Sequence, residues 1–240
     1  MNFKLKRFKL DIKTSIAVIL AASIFTAYLM FKVSPGYSAI FFTVSLSEPL
    51  VLFLNYIPIL LIMLIFYFIS GNCIFASGFS AIIFTIGSYA NEQKSNLRQD
   101  PLIPSDMSVI TEVKSILSDY DDKYTYLAIA TLIAIILVCL IAFIFFKRSE
   151  KLTVLKRAVG TFCCIFCFAG LLNTVYASSS LYDSFEVNGN IYFKVNQYAS
   201  KGFLYSFLYD INNLKVEKPE GYNSAEFLDS ESEVDYDSFD

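Results

Sequence analysis

Between Pro49 and Asn91 the chain runs for 43 residues without a single Asp, Glu, Lys or Arg. As one helix this stretch would measure about 65 Å at 1.5 Å per residue, roughly twice the ~30 Å of a bilayer's hydrocarbon core. It must therefore fold back on itself. Ser70, Gly71 and Asn72 mark the reversal, because Gly and Asn favour a tight turn, which predicts spans over 49–69 and 73–90. Pro58 is expected to kink the former.

Three further uncharged runs have spanning length. The first, Thr14 to Phe31, follows a basic arm (Lys4, Lys6, Arg7, Lys9, Lys13) and predicts a span over 14–31. It is longer than the core of a cleavable signal peptide, and no small-x-small cleavage site follows it. Tyr124 to Phe146 predicts a span over 124–146, and the run Ala158 to Tyr182 a span over about 158–178. The expected fold is therefore all-α and polytopic, with five transmembrane helices in a membrane domain over 1–182. The residue balance agrees, with 55% hydrophobic residues, 17% charged and a mean hydropathy of +0.54.

Orientation follows from where Lys and Arg sit, since cytoplasmic loops retain them. The N-terminal arm carries five basic residues, and the connector KRSEKLTVLKR another five (Lys147, Arg148, Lys151, Lys156, Arg157). Five spans place both clusters on one side, whereas a single crossing of 49–91 would separate them. The opposite side receives 91–123, with seven acids against four bases, and the tail from Ser178, with twelve against four. The expected topology is multi-pass, with the N-terminus cytoplasmic and the C-terminus extracellular.

In the outer loop, Ser105 or Asp106 is placed to cap a helix bearing Met107, Ile110, Val113 and Leu117 at helical spacing. A second amphipathic helix is expected from about Asn196 to Leu214, with Leu204, Phe207, Leu208, Ile211 and Leu214 in one stripe. Asn188-Gly189 between apolar residues is a weak hairpin signal. Residues 183–223 form an extracellular juxtamembrane segment, and the acidic stretch 224–240 a solvated linker or disordered end.

Histidine is absent, which removes the commonest general base and transition-metal ligand. Cys73, Cys139, Cys163, Cys164 and Cys167 all fall in apolar runs with no basic neighbour to favour a thiolate, so they read as packing residues. Asn55, Asn72 and Asn173 read as partners for interhelical hydrogen bonds. No Asp, Glu, Lys or Arg lies inside a predicted span, which weighs against an ion-coupled carrier.

The informative segment is ANEQKSNLRQDPLIPSD, starting at Ala90. Lys94 and Arg98 stand four apart, so a helix continuing past Asn91 would project both cations from one face at headgroup depth, where they could hold a lipid phosphate with Asn91 adding a polar contact. The bland alternative is ordinary snorkelling. Pro101 and Pro104 then set an extended path, and Asp106 caps the next helix.

The pattern Asn91, Lys94, Arg98, Pro101, Leu102, Pro104 and Asp106 after a third span resembles the membrane domain of lipoteichoic acid synthases and related bacterial phosphoglycerol transferases. The segment NQYASKGFLYSFLYDINNLKVEKPEGYN, Asn196 to Asn223, resembles the stretch these proteins carry between their last span and their extracellular catalytic domain. The resemblance implies transfer of glycerol phosphate from phosphatidylglycerol to a cell-envelope polymer, by a sulfatase-like domain using a threonine nucleophile and a divalent metal such as manganese. No residue of this chain matches that nucleophile or its metal ligands. The chain itself is thus expected to be non-catalytic and without a cofactor, to anchor and present lipid, and to work with a sulfatase-like domain in the same or another chain. Membrane lipids, phosphatidylglycerol among them, are the expected partners, and nucleic acid is not. The competing readings are a small-molecule carrier or permease component and a non-catalytic membrane scaffold.

Overall fold

A computed structural model describes residues 8–33, 41, 44–107, 122–147 and 152–212. It contains five helices long and apolar enough to cross a membrane, and these form an all-α bundle with further short helices at one end. The spanning helices are α1 (Ile12–Val33), α2 (Pro49–Ser70), α3 (Cys73–Arg98), α4 (Asp122–Phe145) and α5 (Val154–Thr174).

The reversal between α2 and α3 falls where the sequence puts it. Gly71 adopts a left-handed conformation (φ 66°) and its N–H bonds Tyr67 O at 2.7 Å. Asn72 then caps α3, its side-chain oxygen accepting from Ile74 N at 3.0 Å and Phe75 N at 3.4 Å. One residue closes a helix and the next opens another, satisfying orphan backbone groups that a bilayer would leave bare. Pro49 sits at the start of α2, where a missing N–H costs nothing.

Helix α3 is the centre of the bundle and packs against α1, α2 and α4. Its small residues allow this. Ala76, Ser80 and Ala81 are buried, and Gly78 lies against Cys139 of α4 with no room for a Cβ. In a bilayer such close backbone approach supplies the dispersion contacts that hold helices together. Two polar bridges assist, Ser23 to Tyr56 between α1 and α2 (2.7 Å) and Tyr89 to Thr125 between α3 and α4 (2.9 Å). Helix α5 packs along α2, where Gly160 faces the Phe68 ring.

One end of the bundle, the near end, carries Lys13, Lys156 and Arg157 among the described residues. Phe8–Lys9 pairs in parallel with Phe146–Lys147, a two-residue β contact tying the entry of α1 to the exit of α4. At the same end Arg157 enters α5 rather than the connector, because Thr153 caps that helix. Its Nε donates to Phe68 O at 3.0 Å and its Nη2 to Ile69 O. A cation thus meets the carbonyls at the C-terminus of α2, where the helix dipole favours positive charge.

The opposite, far end is covered by α6 (Ser179–Ser184), α7 (Lys194–Lys201) and α8 (Phe203–Asn212). Three expectations are corrected here. The fifth span stops at Thr174 rather than near 178, and Ser178 caps α6 by accepting from Leu181 N at 3.2 Å. No strand forms around Asn188-Gly189. Instead side chains hold the loop, with Asn188 N donating to Ser200 Oγ, Asn196 Nδ2 to Asn190 O and Gln197 Nε2 to Ile191 O. The single helix expected from Asn196 is two helices meeting at Gly202 (φ 86°). The expected helix beyond Met107 and the acidic tail lie outside the described residues.

Candidate functional site

Helix α3 continues past Ala90 to Arg98, so Asn91, Lys94 and Arg98 do lie on one helix. They do separate things. Asn91 is buried, and its Oδ1 accepts from Leu102 N at 3.0 Å, drawing the following loop onto the helix. Lys94 turns into that loop, where Nζ reaches Asp106 Oδ2 (2.8 Å), Asp100 Oδ2 (3.3 Å) and Pro101 O (2.8 Å). Each of its three N–H groups therefore has an oxygen. Arg98 alone stands exposed with no partner among the described residues, one residue before the left-handed Gln99 that ends α3.

The loop itself is short and fixed. Pro101 and Pro104 are buried, and Pro104 opens a single 3-10 turn. Asp106 acts backward, its Oδ2 accepting from Ile103 N at 2.8 Å as well as from Lys94. Ile103 then packs on Tyr198 and Ala199 of α7 together with Phe203 and Phe207. The loop after α3 and the helices α7 and α8 thus meet in one layer at the far end.

Asn55 holds that layer down. It lies two turns into α2, and its Nδ2 donates to Lys201 O at 2.8 Å while its Oδ1 accepts from Tyr205 N at 3.1 Å. The last carbonyl of α7 and an early N–H of α8 are met by one side chain from a spanning helix. Non-helical backbone at this depth is tolerated only where protein satisfies it. Tyr176 adds a bond to Leu54 O (2.7 Å), and Asn212 another to Leu172 O (2.8 Å). Of the three asparagines expected to join helices, Asn55 does so, Asn72 caps α3, and Asn173 bonds Ala169 O of its own helix.

Several charged groups here escaped the sequence reading. Lys194 grips both oxygens of Asp210 at 2.7 Å, and Tyr198 donates to the same carboxylate at 2.8 Å. Burial, reinforced by the Asp210 charge, holds the Tyr198 phenol well above its usual range. Lys201 is buried over the Tyr182 ring, 3.7 Å from its centroid, and donates to Tyr182 O at 2.6 Å. Burial lowers its ammonium to about 8, against a smaller opposing pull from Asp183. Glu92 and Gln93 are buried beside Asn91. The one sequence signal for this cluster was Gly202, which interrupts an otherwise helical stripe.

Among the described residues no group of three His, Cys, Asp or Glu side chains is placed to hold a metal ion. The far end is a built, hydrogen-bonded platform on which Arg98 is an exposed cation without a partner among the described residues. No protein-family model, curated protein or solved structure matches this chain.

Proposed function

We propose that this chain is a membrane-anchoring and lipid-presenting domain of the lipoteichoic acid synthase type, serving a phosphoglycerol transferase of the bacterial cell envelope. The far end is extracellular, and the near end, with its basic residues, cytoplasmic. One observation carries the reading. The two stretches that separately resemble this family, 91–106 and 196–212, pack together through Ile103, Tyr198 and Phe207. That is the place where a catalytic domain following the last span would stand over the bilayer.

The geometry narrows the lipid-phosphate reading. Lys94 is engaged by two carboxylates and a carbonyl, and Asn91 by Leu102, so both support the platform. Arg98 is the residue left to face an anionic headgroup, and its guanidinium grips two phosphate oxygens at once. Phosphatidylglycerol is the proposed lipid, and a sulfatase-like domain, in this or another chain, the proposed partner. The divalent metal belongs to that domain.

The test is lipid retention by the full chain in nanodiscs, read by native mass spectrometry. Phosphatidylglycerol should be enriched over phosphatidylcholine, and Arg98→Ala should weaken the enrichment by about 1–3 kcal/mol, the scale of a charged hydrogen bond. Equal retention of both lipids by the unaltered chain, or indifference to Arg98→Ala, would remove the lipid-presenting role.

A further inference from the structure

A cavity of about 60 Å³ lies beneath the α7–α8 junction, between α1, α2 and α3. Its wall is apolar (Met30, Phe31, Phe41, Ile59, Phe203 and Leu204 among others) and includes no acidic or basic side chain. Two buried polar groups on α3 reach it. The Ser88 hydroxyl, on a residue 2% exposed, has no hydrogen-bond partner among the described residues. Asn91 is 1% exposed, and its Oδ1 is fixed by Leu102 N, which leaves the Nδ2 amide hydrogens unpartnered there as well. The other polar liners are engaged, Asn55 with α7 and α8 and Tyr56 with Ser23.

A donor held inside the bundle without an acceptor is destabilising, so two on one wall point to an occupant that supplies acceptors. The most exposed liner is Leu52 of α2 (44%), while Ala27, Phe31 and Tyr56 of α1 and α2 and Phe203 and Leu204 of α8 keep less, so the mouth opens at Leu52, beside α1 and α8. Leu52 and Tyr56 stand about 5 and 10 Å below the first residue of α2 at 1.5 Å per residue. This is the depth at which the interface gives way to hydrocarbon. The medium at such a mouth is lipid, and the groups found there are the ester carbonyls and first methylenes of glycerolipids.

We infer that this cavity is a binding site for the ester region of one glycerolipid, with Asn91 Nδ2 and Ser88 Oγ donating to its ester oxygens and the acyl chain leaving along Phe31 and Leu52. Recognition is by neutral hydrogen bonds, so a diacylglycerol and a phosphatidylglycerol are held alike. The inference rests on the membrane placement of the bundle and not on the proposed transferase role, so either stands without the other.

The experiment presents the full chain in detergent with dioleoylglycerol, a diester phosphatidylglycerol and its diether analogue, and reads retention by native mass spectrometry. One diester lipid per chain is expected, diacylglycerol and phosphatidylglycerol equally, with the diether held about five- to tenfold more weakly for the lost acceptors. Ser88→Ala should weaken diester binding several-fold without lowering the thermal midpoint of the lipid-free chain, and Ala27→Leu should block it by filling the cavity. Diether binding equal to diester, retention confined to the anionic lipid, or Ser88→Ala and Ala27→Leu both binding as the unaltered chain does, would overturn the inference and leave water as the occupant.

Discussion

Replacing Gly202 by alanine should cost more than any other single methyl group added to this chain. Gly202 has φ 86° and ψ 152°, a region essentially reserved for glycine, with a strain of about 1–3 kcal/mol for any other residue. A Cβ there would also stand 2.5 Å from Asn55 Nδ2 and Oδ1, and Asn55 cannot retreat without releasing Lys201 O and Tyr205 N. Each buried backbone group left unpaired adds about 1–3 kcal/mol. The total, about 3–9 kcal/mol, is a large share of the 5–15 kcal/mol typical of a folded domain. Thermal unfolding in detergent, with hydrogen exchange at 194–212, reads it, and exchange there should accelerate before the spanning helices respond. Asn55→Ala removes the bonds without the clash and should cost about 2–4 kcal/mol. Because it also removes the atoms that the new Cβ meets, the double variant should lose less than the sum of the two. Gly170→Ala is the control, since its Cβ meets nothing within 4 Å, and a helical Gly→Ala change is neutral to stabilising by up to about 1 kcal/mol. A Gly202→Ala chain as stable as the Gly170→Ala chain, or strict additivity with Asn55→Ala, would refute the pinning argument.

Two further outcomes concern cations at opposite ends of the bundle. Lys201 has its ammonium lowered to about 8 from 10.5, so above pH 8 the unfolded chain keeps a proton that the folded chain has released, and stability rises with pH. The gain is at most about 3 kcal/mol, confined to roughly pH 8 to 10 because the raised phenols of Tyr182 and Tyr198 oppose it beyond. Lys201→Met should flatten the slope of thermal midpoint against pH across that window, and an unchanged slope would contradict the burial. At the near end, Arg157→Met should cost about 1–3 kcal/mol by leaving Phe68 O and Ile69 O bare, with Arg157→Lys recovering only part because it lacks the fork. Equal thermal midpoints for all three chains would show the contact to be idle.

Much of the bundle is readable from uncharged run length alone, because a membrane imposes helix on any span. The Gly71-Asn72 reversal is readable too, since the physics of caps is local. The features that resisted reading were set by contacts distant in sequence. Arg157 looks like one more connector cation until Phe68 and Ile69, almost ninety residues away, present their carbonyls. Lys94 and Arg98 share spacing and chemistry, and they part only because Asp100 and Asp106 fold back over the former. Lys201 sits in a polar-looking stretch, yet its partner is the Tyr182 ring and carbonyl, brought near by the Gly202 bend. The Pro-containing loop after α3 was visible in the sequence, whereas its use as a platform joining α3 to α7 depended on packing at Ile103.

Cysteine accessibility tests the five-span arrangement most directly. In a chain whose five native cysteines are replaced, single cysteines are placed at Asp11 and Thr153 of the near end and at Arg98 and Tyr192 of the far end, all exposed positions. An impermeant maleimide applied to intact bacterial cells should label positions 98 and 192, and reach positions 11 and 153 only after permeabilisation. Labelling of 153 in intact cells while 11 stays protected, or of 98 and 192 unequally, would contradict it.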